Sequence, residues 1–237
     1  MFTLSPRIKK NIILACIAGS AVYVLFNILA MFLYPGGTSI DKNKIGYSFY
    51  ENFFSDLGMV MTYDGESNRI SRLLFVSALI LIGILIILFF IVFVSLFIES
   101  KLDKYLSRTV SITGAMAGLS CIGIAMTPWD LYYETHMIFS YSFSIFFLIM
   151  TILYSAAIQL NRTYHNRYAI VFLIYLVILL VFLGLMIWGP PIDTPLGLKI
   201  LAISQKIIIY SGMICLIIQF FGAYFYIKKY LPGKRPG

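Results

Sequence analysis

Six stretches of this sequence are long and apolar enough to cross a lipid bilayer, and they leave few folds open. A hydrocarbon core about 30 Å thick takes roughly 20 residues of helix. Apolar runs of that order fall at 11–34, 73–98, 109–127, 135–158, 168–188 and 200–227. The composition agrees: 60% of the 237 residues are hydrophobic and 12% charged, with a mean hydropathy of +0.91. A soluble domain has roughly 45–50% apolar and about 25% charged residues, so a water-soluble fold could not hide this much apolar surface. The expected fold is an all-α integral membrane protein, a six-transmembrane-helix bundle forming a single transmembrane domain over 1–237, with no internal repeat. Arg7, Lys9 and Lys10 before the first run resemble the start of a secretory signal, but that run is longer than the 7–15 residues of a signal core. It reads as a retained first span.

The formal charge of +8 does not point to nucleic acid, because the basic residues flank the apolar runs. Arg7, Lys9, Lys10, Lys101, Lys104, Arg108, Arg162, Arg167, Lys228, Lys229, Lys234 and Arg235 fall on one side of the six spans; Lys42, Lys44, Arg69, Arg72, Lys199 and Lys206 fall on the other. The positive-inside rule then puts both termini in the cytoplasm of a plasma-membrane protein and the 35–72 connection outside. The closing LPGKRPG is basic, reads as disordered, and is placed to rest on anionic lipid heads.

Two spans have distinct textures. The third is rich in small residues and contains Gly114-x-x-x-Gly118, with Gly123 a further turn on; such faces let helices approach closely in lipid. It is expected to sit centrally, with the Gly114/Gly118 face open to a second copy or a partner. The second span is bulky all round and is expected to face lipid over much of its surface. Cys16, Cys121 and Cys215 all lie in apolar runs without C-x-x-C spacing and read as small core residues.

Chemistry gathers at the outer ends. GYSFYENFFSDLG at 46–58 reads as an amphipathic outer segment between helices 1 and 2. On a helix it would put Ser48, Asn52, Ser55 and Asp56 on one face, with Glu51 at its border. It could anchor in the interface or act as a lid turning Glu51 and Asp56 into a cavity. Asp130, Glu134 and His136 follow in TPWDLYYETH, Asp193 lies in GPPIDTP, and Lys206 sits about two turns inside the sixth span. A charge at that depth needs a partner, and Asp56 and Asp130 are the candidates. Asp56, Asp130, His136 and Lys206, supported by Glu51 and Ser55, would then line an outward-facing pocket for a lipid or lipid-like head group, with membrane lipids as partners. A purely structural ion pair is the competing reading.

No glycine-rich phosphate loop, haem motif or nucleotide fingerprint is present, so no cofactor is expected. A metal site would have to use Asp56, Asp130 and His136, and one imidazole is a thin set for zinc. A metal-dependent hydrolase of a lipid amide or ester is therefore the second reading, and a structural, partner-binding subunit the third.

YPGG at 34–37, GYSFYENFFSDLGM at 46–59 and the spacing of Asp130 and His136 resemble a family of prokaryotic multi-span proteins, domain of unknown function 998. The S-D-L-G at 55–58 is also similar to the I-S-D-x-G of DRAM-like and GPI-lipid-remodelling membrane proteins. The first resemblance implies a six-helix membrane protein with a polar outer signature; the second implies lipid handling. Ceramidase-like hydrolases combine Ser, Asp and His, but this chain lacks their three zinc-holding histidines, and their catalysis is not carried over.

Overall fold

The computed structural model describes residues 4–96, 101–161 and 163–231, without the side chains of Lys101 and Asp103. The end of the span expected to reach residue 98, Arg162, and the basic tail with Lys234 and Arg235 lie outside them. Six helices follow in order: α1 (Pro6–Phe32), α2 (Arg69–Phe93), α3 (Lys101–Met126), α4 (Tyr133–Leu160), α5 (Arg167–Trp188) and α6 (Pro195–Tyr230). Each has the length and composition of a membrane span. Lipid offers the backbone no hydrogen-bond partner, so helices that satisfy their own N–H and C=O groups are the stable solution for such runs. The helices outlast the apolar runs at most ends. Ser5 and Thr194 cap α1 and α6 through their hydroxyl oxygens, each followed by a proline suited to the first turn.

Consecutive helices pack side by side, and α6 returns to α1 and closes the ring. The start of α1 and the end of α6 thus lie at one end, the terminal end, where Lys9 donates to the Ser95 carbonyl and Lys10 covers the Tyr224 ring. The connections 33–68, 127–132 and 189–194 lie at the other, the loop end. Phe32, Leu73, Ile187 and Trp188 are among many large apolar side chains on the outer surface, which is how a bundle solvated by lipid presents itself.

Aromatic side chains fill the middle of the bundle towards the terminal end. Phe93 of α2 stacks on Tyr154 of α4 at 4.5 Å, Tyr154 meets Phe172 of α5 at 4.7 Å, and Phe89 meets Phe220 of α6 at 4.9 Å. The three cysteines are free and buried, as expected.

Two expectations about the spans are corrected. α2 is the most enclosed helix, with 56% of its apolar window buried against 39% for α3, and it does not face lipid over most of its surface. The reason lies in the glycines. A Cβ on Gly118 would stand 2.7 Å from the Gly83 carbonyl oxygen of α2, and one on Gly114 would enter the Phe90 ring. The small-residue face thus seats α2 backbone to backbone, and the face expected to be open to a partner or second copy is covered from within the chain. On its other side α3 meets α4, where Gly123 makes room for Phe139.

Candidate functional site

The loop end is closed by a cap made from residues 33–68. Its 46–58 stretch is not an amphipathic α-helix. It comprises turns and one short 3-10 helix, Phe54–Gly58. The physical reason is Asn52, whose side chain competes successfully for backbone groups. Its Oδ1 accepts from Ser48 N–H at 2.8 Å, while its Nδ2 donates to the Gly37 carbonyl at 2.9 Å and to Asp56 Oδ2 at 3.0 Å. Gly37 takes φ +78, a conformation open to glycine, and a Cβ there would collide with the backbone of Asp64. YPGG and YENFFSD are therefore two halves of one knot, with Asn52 fully buried at its centre.

Asp56 is the acid inside the knot, 1% exposed. Its Oδ2 also accepts from Phe53 N–H at 2.9 Å, capping the 3-10 helix. Burial pushes its carboxyl up to about 7, against the opposing pull of Asn52, the Phe53 N–H, the Lys206 charge and the Trp129 indole. Tyr34, Tyr47 and Tyr63 surround it; burial raises all three, and the nearby Asp56 charge raises them further.

Lys206 lies ~16 Å along α6 from its first residue at 1.5 Å per residue and is 1% exposed. Among the described residues no carboxylate comes within 4 Å of it, so the ion pair with Asp56 or Asp130 is not formed. Lys206 donates instead to the Asn52 carbonyl and to the Ala202 carbonyl at 3.2 Å, and its ammonium faces the rings of Tyr47 and Phe49 at 5.3 and 5.2 Å. Hydrogen bonds to a charged group contribute about 1.5–3 kcal/mol each and a desolvated cation–π contact up to about 2, enough to offset much of the burial cost. Its neighbour Gln205 accepts from Phe54 N–H at 2.6 Å. Together they pin the cap to α6.

The other expected residues separate into different roles. Asp130 joins the underside of the cap, its Oδ2 accepting from the N–H groups of Val60 at 2.9 Å and Met61 at 3.2 Å. His136 is buried with Nδ1 2.6 Å from the Thr127 carbonyl, bracing the end of α3. Glu51 points outward to the rim, where Lys44 donates to it and Lys199 of α6 lies 3.5 Å away; Lys44 holds its carboxyl below the usual range. Ser55 is half-buried beside Asp56, while Glu134 and Asp193 are exposed. Asp56, Asp130 and His136 do not converge as ligands: among the described residues no three His, Cys, Asp or Glu side chains form a metal-holding group.

The structure adds residues that the sequence reading did not select. Asn68, fully buried at the start of α2, donates through Nδ2 to the carbonyls of Leu57 and Met59, both at 3.0 Å. Trp129 lies within weak hydrogen-bonding range of Asp56. Around residues 56–61 several buried polar atoms have no hydrogen-bond partner of normal geometry among the described residues: Asp56 Oδ1, Asp130 Oδ1, Asn68 Oδ1, Ser71 Oγ, Arg72 Nε and Trp129 Nε1, although Trp129 and Tyr63 both approach the Asp56 carboxyl. Buried polar atoms are ordinarily paired, and these belong to the cap and to the helix ends that hydrogen-bond to it. Asparagine, serine and tryptophan at the borders of apolar runs were the available signal.

These features define a six-span helical membrane protein whose loop end is sealed by a polar knot. The family described as "Protein of unknown function (DUF998)" matches residues 17–221, and the chain belongs to it. No curated protein and no solved structure matches the chain. Nothing in these comparisons carries the likeness to DRAM-like and GPI-lipid-remodelling proteins.

Proposed function

We propose that the protein binds a lipid or lipid-like head group at its loop end, and that this end faces outward from a plasma membrane with both termini cytoplasmic. The orientation follows from the positive-inside rule, since twelve of the eighteen Lys and Arg residues belong to the terminal end. The observation that carries the binding reading is the group of unpaired polar atoms about residues 56–61. Carboxylate and amide oxygens there call for donors, while the Arg72 N–H calls for an acceptor and the Trp129 N–H has only a weak approach to Asp56. A hydroxyl-bearing head group supplies both at each oxygen. In this reading Asp56 and Asp130 hold the ligand's hydroxyl or amine protons, Trp129 and Arg72 donate to its oxygens, and Lys206 and His136 keep the frame. Glu51 and Ser55 sit at the rim, with Glu51, Lys44 and Lys199 latching the cap to the bundle.

Native mass spectrometry of protein extracted in mild detergent tests this. The wild type should carry a lipid-sized adduct, lost in Asp56→Asn and Asp130→Asn variants that remain monodisperse. An adduct retained by both variants would overturn the assignment. A stoichiometric divalent metal in its place would favour the hydrolase reading.

A further inference from the structure

Two cavities open at the opposite, terminal end between α5 and α6. One, of about 280 Å³, is lined by Val171, Ile218 and Phe221 beneath Arg167 and Tyr168. The other, of about 210 Å³, shares Arg167 and Tyr168 and adds polar groups that include His165, Lys229 and Tyr230. They form one recess, apolar below and basic above. Its surroundings belong to the hydrocarbon: α5 has 17% of its apolar window buried, and Ile170, Ile214, Phe221 and Phe225 are exposed alongside. The upper part is basic without an acidic lining residue. Arg167 lies over the Tyr168 ring at 4.9 Å and spends one N–H on its hydroxyl at 3.0 Å. That steadies a planar fork of five N–H groups and leaves others for a phosphate. Lys229 stands over Tyr230 at 4.9 Å. Only two of the ten Asp and Glu residues, Glu99 and Asp103, belong to the terminal end by chain position.

We propose that this recess holds one anionic phospholipid of the surrounding bilayer, its phosphate between Arg167 and Lys229 and an acyl chain along Val171, Ile218 and Phe221. A basic recess between helices above an apolar groove suits a charged lipid head with its chain attached. The site is separate from the loop end and does not rest on the reading given to it.

The experiment titrates the full chain, in neutral detergent, with phosphatidylglycerol and separately with phosphatidylcholine, reading bound lipid by native mass spectrometry and thermal unfolding in parallel. Phosphatidylglycerol should be retained in preference and should raise the Tm. Arg167→Gln and Lys229→Gln should weaken retention by about five-fold for each charge removed. Lys104→Gln, at the same end, and Lys42→Gln, at the other, should leave it unchanged. Val171→Trp fills the groove without touching either charge, so it should block retention even if the charge variants fold poorly. Equal retention of both lipids, an unaffected Val171→Trp, or an equal loss in Lys104→Gln would each overturn the proposal. The same stabilisation by inorganic phosphate alone would also overturn it.

Discussion

Asp56 is the residue whose protonation the fold controls most directly. Its carboxyl is raised by burial from 3.8 to about 7, so between those values the folded chain keeps a proton that the unfolded chain has released. Stability therefore falls as pH rises through that window and is flat above it. Glu51 behaves oppositely: Lys44 holds its carboxyl low, and its contribution is lost only as pH falls below the ordinary carboxylate range. The two effects separate on the pH axis. Asp56→Asn should match the wild type in Tm at the acid end, gain on it as pH rises towards about 7, and keep a constant advantage above. Thermal unfolding of both proteins across pH checks this, and a parallel pair of curves would refute it.

Among the helices, the tightest constraint is the crossing of α2 and α3. Gly118→Ala puts a methyl group 2.7 Å from the Gly83 carbonyl oxygen and forces two backbones apart, a strain of about 1–3 kcal/mol. At Gly184 of α5 a Cβ meets nothing nearer than Trp188 at 3.9 Å, and Gly184→Ala should be neutral or stabilising by up to about 1 kcal/mol. Thermal unfolding in detergent should rank the two accordingly. The same pair of helices marks how far the sequence is legible. Each of the six spans is plain in the hydropathy, because lipid demands a long apolar helix. Which span is enclosed is not: α2 and α5 share a hydropathy of 3.3, yet 56% of one window and 17% of the other are buried. Apolar side chains suit lipid and protein neighbours alike, so bulk carries no sign of which it will meet. Gly114 and Gly118 announced a close approach but not that α2 would make it. The cap was legible in its polar residues and not in its shape, since a helical wheel over 46–58 could not foresee that Asn52 would bind backbone groups on both sides of it. Lys206 stood out for its depth, but sequence cannot show that carbonyls and ring faces would serve it in place of a carboxylate.

For the molecule as a whole, charge divides the two ends, and the proposed orientation rests on that division. Cysteines placed at Lys42 and Lys104, with the native three buried and free, give a direct reading with a membrane-impermeant thiol reagent on intact cells. Lys42→Cys should label at once and Lys104→Cys only after permeabilisation; the reverse pattern would turn the bundle over and put the polar knot in the cytoplasm. Between the ends stand the packed rings of Phe89, Phe93, Tyr154, Phe172 and Phe220. They fill the centre of the bundle with apolar surface, against which a hydrated ion would have to give up its water.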